Sequence, residues 1–569
     1  MATLRTETAR SARLDALDAV LDWASATHVR ALVLLTAIAL LAFTPGMFSI
    51  PPIDRDEARF AQSTKQMVES GDYIDIRFQD DARYKKPIGT YWLQAGVVNA
   101  AEFLGKQNAK SSIGLYRIPS VAGALAAVLL TYWTALAFVS RRASLLAGLM
   151  MATSLMLAAE AHLAKSDAVL LPAIIAAMGA LARVYLDPRV KPGLTGWRWP
   201  AVFWTALAIG TLIKGPLILA VAGSTVVTLV AFDRSGRWLI GLRPLAGILW
   251  FAILVCPWFV AIASRSGGAF AAESIGRDFL PKLFGGQEGH GAPPGFYFAL
   301  FWLTFWPAAT LAALAAPAVW ASRHEKGARF LLCWLVPMWI VLELVITKLP
   351  HYVLPLYPAI AILIAGVIDS HRLTRKSWML HGASWWFVVP VLMGACMVAG
   401  LVMFGRQMGV LALPFAAGAV VFGLLAWRLF EADGASRSLQ RAMVASVLIS
   451  IATYGFLVPM LGTLFPSVSL ARTLRAADCE RPIAAAAGYH EPSLVYLAGT
   501  TTRLVDGGGA AEFLRPGGCR FAFVESRQER NFLRRADAIG LRYAPGPRIE
   551  GYNFSAGRPV SIAVYRADR

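Results

Sequence analysis

Charge is what this 569-residue chain has least of. Asp, Glu, Lys and Arg make up 16% of it, against 57% hydrophobic residues and a mean hydropathy of +0.54. That balance excludes an ordinary soluble domain, in which about a quarter of residues are charged. Cysteine is sparse as well: of five, Cys256, Cys333 and Cys396 lie in apolar runs, leaving Cys479 and Cys519 as the one pair elsewhere. A phosphate loop is missing, because the glycine-rich "VDGGGA" at 505–510 is not followed by Lys-Ser/Thr and reads as a turn. The N-terminal "MATLRTETARSARLDALDAVLDWA" has charges throughout and is not a signal peptide. Its periodic Leu14, Leu17, Val20 and Leu21 predict a short amphipathic helix on the membrane surface.

What is present is a series of apolar runs. A bilayer core of about 30 Å needs about 20 apolar residues per helix. Such runs recur at 29–48, 115–140, 143–161, 167–186, 199–213, 215–232, 243–263, 295–320, 329–347, 352–369, 384–404, 410–430 and 442–464. They predict a polytopic α-helical membrane protein with about thirteen spans. Short loops rich in Lys and Arg stay in the cytoplasm, and those at 140–142, 187–198, 233–243, 322–329, 371–376 and 431–441 all fall on one side. The net charge of +19 is therefore a topology signal and does not point to nucleic acid. The other side, expected to be extracytoplasmic, carries the loop 49–112, the loop 264–294 and the tail.

Residues 1–465 thus form a transmembrane domain and 466–569 a soluble one, where Arg, Asp, Glu and Gly rise and long apolar runs stop. "SLARTLRAADC" and "RQERNFLRRADAIG" read as helices, and "RFAFVE" and "PVSIAVYRA" as a buried and a closing strand, giving a mixed α/β module. In an oxidising compartment Cys479 and Cys519 are candidates for a disulfide.

The loop 49–112 concentrates the chemistry. Pro51 and Pro52 stop the first span, and Asp56 is placed to cap a helix whose Phe60, Thr64, Met67 and Val68 share a face expected to lie on the membrane. A second helix is predicted near Pro87, with Tyr91 and Trp92 at headgroup level and Lys85 and Lys86 at its positive end. Two lysines at a helix N-terminus attract anions, a lipid phosphate being the natural ligand. A plain helix cap and contact with bulk anionic lipid are the competing readings. The short turns on the same side, "HLAKSD" 162–167, "IKGP" 213–216 and "TKLPHY" 347–352, each hold an ionisable residue at a helix end. One such residue can be a snorkelling anchor, but several converging on one face suggest a site. The 264–294 loop adds Glu273, Arg277, Asp278 and His290 among seven glycines, a composition able to close over bound lipid. Glu273 and His290 are candidates for a divalent metal ion or for a hydrogen-bonded surface pair.

Five motifs in order, "DRDEARFAQ" 54–62, "RYKKPIGTYW" 83–92, "AKSDAVL" 164–170, "IKGPL" 213–217 and "TKLPHYVLPLYP" 347–358, resemble the aminoarabinose transferases that modify lipid A. More broadly, they resemble the C-type glycosyltransferase fold of protein O-mannosyltransferases. The resemblance covers about 50 to 360. One departure is that Lys85 stands where many members have the Glu of an "EKPP"-like motif.

The resemblance implies inverting transfer of 4-amino-4-deoxy-L-arabinose from undecaprenyl phosphate to a lipid A phosphate. The setting it implies is the periplasmic face of a Gram-negative inner membrane, with a monomer expected and polymyxin resistance as the consequence. A phosphate acceptor, with a second pKa near ~6, is already largely ionised and needs no general base. On this reading Asp56, Glu57 and Asp167 are the catalytic carboxylates, binding the sugar amine, orienting the acceptor and stabilising positive charge on the ring. Arg59, Lys85, Lys86, Lys214, Arg277, Lys348, His351 and Tyr352 hold donor and acceptor phosphates. Two alternatives are a related glycosyltransferase acting on a protein or another glycan, and a lipid-linked sugar transporter or flippase. The latter would need charges near mid-membrane and an internal repeat, and the sequence has neither.

Overall fold

The computed structural model describes residues 17–187, 196–279, 291–374, 380–404 and 407–568. A helix stands at each of the thirteen apolar runs, but the runs are not thirteen equal crossings. Among the described residues eight helices are long and apolar enough to cross a membrane, or up to ten if two bent pairs each count as one span. His28–Phe43, Arg198–Lys214 and Leu217–Asp233 stand at the other three runs and are shorter. The breaks have local causes. Arg141–Ala152 and Leu155–Ala161 meet at 58° where Ser154 is extended and its hydroxyl donates to the Thr304 carbonyl. Arg198–Lys214 ends at Gly215, whose φ of 69° and ψ of −135° suit glycine, so Lys214 becomes the last helical residue.

The Ile113–Ala135 and Ser166–Leu186 helices form a central pair and, with Pro350–Asp369, are the most buried spans, whereas Pro244–Ser266 and His381–Phe404 leave most of their surface uncovered by protein. The central pair approaches closely because Gly123 faces backbone: a Cβ there would lie 2.5 Å from the Ala168 carbonyl oxygen. At the opposite end of the bundle from the long loop, a helix at 17–25 is held by Asp18 and Asp22, which pair with Arg142 and Arg437.

The Asp56–Ser70 helix corrects the expectation of a membrane-surface helix. Phe60 and Met67 pack with Tyr84, Ile88, Tyr91, Trp258 and Phe270, while Ala61 packs with Tyr116, Ala164 and Tyr496. It is buried on two faces, because its hydrophobic stripe is matched by protein before lipid can reach it. The exposed apolar face belongs instead to Gly89–Phe103 and its end, through Trp92, Leu93, Phe103 and Leu104. Before it, β1 (Arg77–Phe78) and β2 (Asp81–Ala82) make a small hairpin.

From Pro466 the chain forms a five-stranded sheet with helices on both faces. Its strands are β3 (Ile483–Ala487), β4 (Arg503–Val505), β5 (Arg520–Glu525), β6 (Tyr543–Asn553) and β7 (Arg558–Ala567), in the order β4-β3-β5-β7-β6. β3 is parallel to β4 and β5, and β7 antiparallel to β5 and β6. Strand periodicity builds two cores: Ala485, Ala522, Val524 and Tyr565 face one side, and Ala484, Phe521, Phe523 and Val564 the other. "PVSIAVYRA" is thus an inner strand. "VDGGGA" is not a turn: Asp506 accepts the Gly509 N–H and caps a helix over Gly507–Leu514. Cys479 and Cys519 form a disulfide with Cα atoms 5.9 Å apart.

Candidate active site

At the loop end of the bundle lies a cavity of about 300 Å³, lined by Asp54, Arg55, Asp56, Glu57, Arg59, Arg83, Lys85, Lys86, Lys165, Ser166, Asp167, Lys214, Thr347, His351 and Tyr352 among others. Seven of these are Lys or Arg and four are carboxylates, so the wall attracts anions.

Arg55, not Asp56, occupies the N-cap of the Asp56–Ser70 helix, with a φ of 70° and no side-chain cap bond. Asp56 is therefore in the first helical turn. Its carboxylate is exposed to the cavity, a position a mere cap would not need. Glu57 has the opposite character. Its Oε1 accepts from the Ala164 N–H and Arg117 Nε, and its Oε2 from the Ile53 N–H and Arg117 Nη2, all at 2.8 Å. Arg117 also donates to the carbonyls of Met47, Ile50 and Pro51, and both side chains are at most 1% exposed. This pair binds together the end of the first span, the start of the 49–112 loop and the 162–165 turn. Glu57, counted from sequence as catalytic, is engaged on both oxygens and suited to holding the wall in place.

Across the cavity, Asp167 pairs with Lys214 and lies 3.4 Å from His351 Nε2. Lys165 Nζ is 2.9 Å from Glu160 Oε1, 3.4 Å from His351 Nδ1 and 3.9 Å from Asp167. Lys214 also sits 5.3 Å over the Tyr352 ring. Asp167, expected to face substrate directly, is thus an anchor for a cation as well.

The structure brings together Asp56, Glu57, Arg59, Lys85, Lys86, Asp167, Lys214, His351 and Tyr352. Lys348 is buried, donates to the Val345 carbonyl and is not among the cavity-lining residues. His290 and the Arg277 side chain lie outside the described residues. Among the described residues no group of three or more His, Cys, Asp and Glu converges to hold a metal ion, and Glu273 belongs to no such group.

Sequence reasoning missed Arg83, Lys165, Glu160 and Arg117. The first two stand inside the quoted motifs. Glu160 and Arg117 lie near the ends of apolar helices, where only a charge in an otherwise uncharged run could have marked them.

Among the described residues, the C-terminal domain lines none of the cavity but holds two residues that do. Asp54 Oδ1 accepts the Ser493 N–H at 2.9 Å, and Arg55 donates to the Ser555 carbonyl. Lys65 donates to the Tyr496 carbonyl at 3.0 Å, and Gln62 to Thr500 Oγ1 at 2.9 Å. Burial, and then the nearby Glu491 carboxylate, push the Asp54 carboxyl up to about 7. Burial lowers the Lys65 ammonium, with Arg475 adding to the effect and Glu69 opposing it.

A family model of dolichyl-phosphate-mannose-protein mannosyltransferases matches residues 33–266. The crystal structure of ArnT from Cupriavidus metallidurans bound to undecaprenyl phosphate superposes with a TM-score of 0.71 at 17% identity, covering 94% of this chain and 98% of that one. The fold is therefore that of a polytopic C-type glycosyltransferase with a small C-terminal sheet domain. Within that class the chain is similar to undecaprenyl phosphate-α-4-amino-4-deoxy-L-arabinose arabinosyl transferases. That of Erwinia tasmaniensis is 28% identical over 313 residues, 54% of each chain. That of Pectobacterium carotovorum is 26% identical over 362 residues, 63% of this chain and 62% of the relative. The chain thus spans between half and two thirds of the length of these relatives.

Proposed function

We propose that this protein transfers 4-amino-4-deoxy-L-arabinose from undecaprenyl phosphate to a phosphate of lipid A, at the periplasmic face of a Gram-negative inner membrane. The observation that carries the reading is a cation-rich cavity at the loop end of the bundle, in which one carboxylate, Asp56, faces the open space outside any ion pair among the described residues. Its similarity to the arabinosyl transferases supports the sugar and the carrier.

In the reaction, an acceptor phosphate oxygen attacks the anomeric carbon as the bond from that carbon to the carrier phosphate breaks. The centre inverts in one displacement. The acceptor is already ionised, so no base is needed. The leaving phosphate gains charge, which Lys165, Lys214, Arg59 and Lys86 neutralise where they line the wall. Asp56 stabilises positive charge on the sugar, through its amine or the developing oxocarbenium ion. Asp167 orients Lys214, and Glu57 with Arg117 keeps the two walls in register. Neutralising lipid A phosphate lowers surface negative charge and thereby weakens binding of polymyxin-like cations.

The test is the mass of lipid A from cells lacking this modification and supplied with the chain. Addition of one pentosamine, lost with Asp56→Asn, supports the reading; unchanged lipid A with an active donor supply overturns it. The family match at 33–266 favours one other acceptor, a protein hydroxyl. A glycosylated protein in the same cells, with lipid A unmodified, would establish that instead.

A further inference from the structure

The cavity's cations are backed by a carboxylate that faces no substrate. Glu160 is 3% exposed and sits behind Lys165, near the end of the bent helix Leu155–Ala161. Its Oε1 is 2.9 Å from Lys165 Nζ and 3.4 Å from His351 Nδ1. Its Oε2 is buried and has no hydrogen-bond partner among the described residues. Two other carboxylates of the site are better held: Glu57 accepts four bonds, and Asp167 has both Lys214 and His351. The negative charge of Glu160 thus depends mainly on Lys165.

Lys165 is also a cavity-lining residue. A lipid phosphate entering the cavity competes with Glu160 for that ammonium, and an anion with one bare oxygen in a dry interior is costly once its cation turns away. The charged or titratable groups around Glu160 are Lys165 from the turn, Asp167 and Lys214 from two helix ends, His351 from the Pro350–Leu356 turn and Tyr454 from the Ile451–Leu457 segment. None of the cations can simply replace Lys165, because Lys214 is committed to Asp167 and His351 lies between both carboxylates.

We propose that Glu160 is a positioning residue that holds Lys165 at the cavity wall in the empty site and takes up a proton from solvent when Lys165 turns to a bound lipid phosphate. The step balances: one ion pair is exchanged for another, and the proton added to Glu160 offsets one of the charges brought in by the phosphate. It favours retention of the dianionic leaving group over its singly charged, sugar-linked precursor. The inference rests on the reading of the cavity as a carrier-phosphate site.

The experiment is calorimetric titration of undecaprenyl phosphate into the full chain in nanodiscs, in PIPES and in Tris at the same pH. Wild type should show buffer-dependent heat equivalent to about one proton per lipid. Glu160→Gln, neutral and nearly isosteric, should bind the lipid with buffer-independent heat. The affinity of wild type relative to this variant should rise by up to about tenfold per pH unit as pH falls. An infrared difference spectrum of the wild type should gain a carboxylic C=O band on binding, a readout that needs no variant to fold. Buffer-independent heat in wild type overturns the proposal, as does uptake that persists in Glu160→Gln, which would assign the proton to His351. Absence of lipid binding altogether would overturn the cavity reading and this inference with it.

Discussion

Replacing Arg117 by Ala probes the support of the site more severely than any change within it. The guanidinium is 0% exposed and its partner Glu57 1%, so truncation leaves a carboxylate in a water-poor interior with two backbone N–H donors and no cation. Stranding one member of a buried pair costs about 3–5 kcal/mol. The Met47, Ile50 and Pro51 carbonyls also lose a donor, at about 1 kcal/mol each, partly returned by water entering the vacated space. A loss of about 4–6 kcal/mol follows. Because Glu57 suffers mainly from losing its counter-charge, combining Arg117→Met with Glu57→Gln should cost about 2–3 kcal/mol less than the sum of the singles. The assay is denaturant-titrated unfolding in mixed micelles, followed by tryptophan fluorescence, for the four members of the cycle. A coupling within about 0.5 kcal/mol of zero, or a stable Arg117→Ala chain with unchanged kcat, would refute the clamp.

Three other outcomes follow. Asp54 has a carboxyl raised from 3.8 to about 7 in the folded chain, so the folded state binds more protons than the unfolded one between these values. Its contribution is fully present below about 4 and is lost as pH rises through about 7, and Asp54→Asn should flatten that part of the pH–stability profile. Lys214→Ala should weaken binding of carrier phosphate at least tenfold, whereas Lys348→Ala, whose ammonium meets a carbonyl outside the cavity, should leave that binding within about twofold and act on thermal stability instead. Reducing Cys479–Cys519, which closes a separation of 40 residues, should cost the soluble domain about 4 kcal/mol by the chain-entropy relation. Its unfolding midpoint in reductant, compared with that of a Cys479→Ser variant, checks this.

The sequence by itself determined the membrane class, the position of every apolar run, the presence of a small C-terminal α/β domain and most of the cavity cations. These follow from local quantities: hydropathy, helix-breaking residues and charges at the ends of runs. It also pointed to Asp56, through a dense polar motif where a span stops. What only the tertiary structure decided is what each charge is paired with. Asp56 and Glu57 are neighbours of one type, yet a helix turns successive side chains apart, so one opens to the cavity and the other meets Arg117 from 60 residues away. The same long-range packing took the Asp56–Ser70 helix off the membrane, by supplying protein partners for both its faces. It also placed the unpredicted Lys165 on the cavity wall with Glu160 behind it. Periodicity assigns a residue to a face of its own helix, but what that face meets depends on segments distant in sequence.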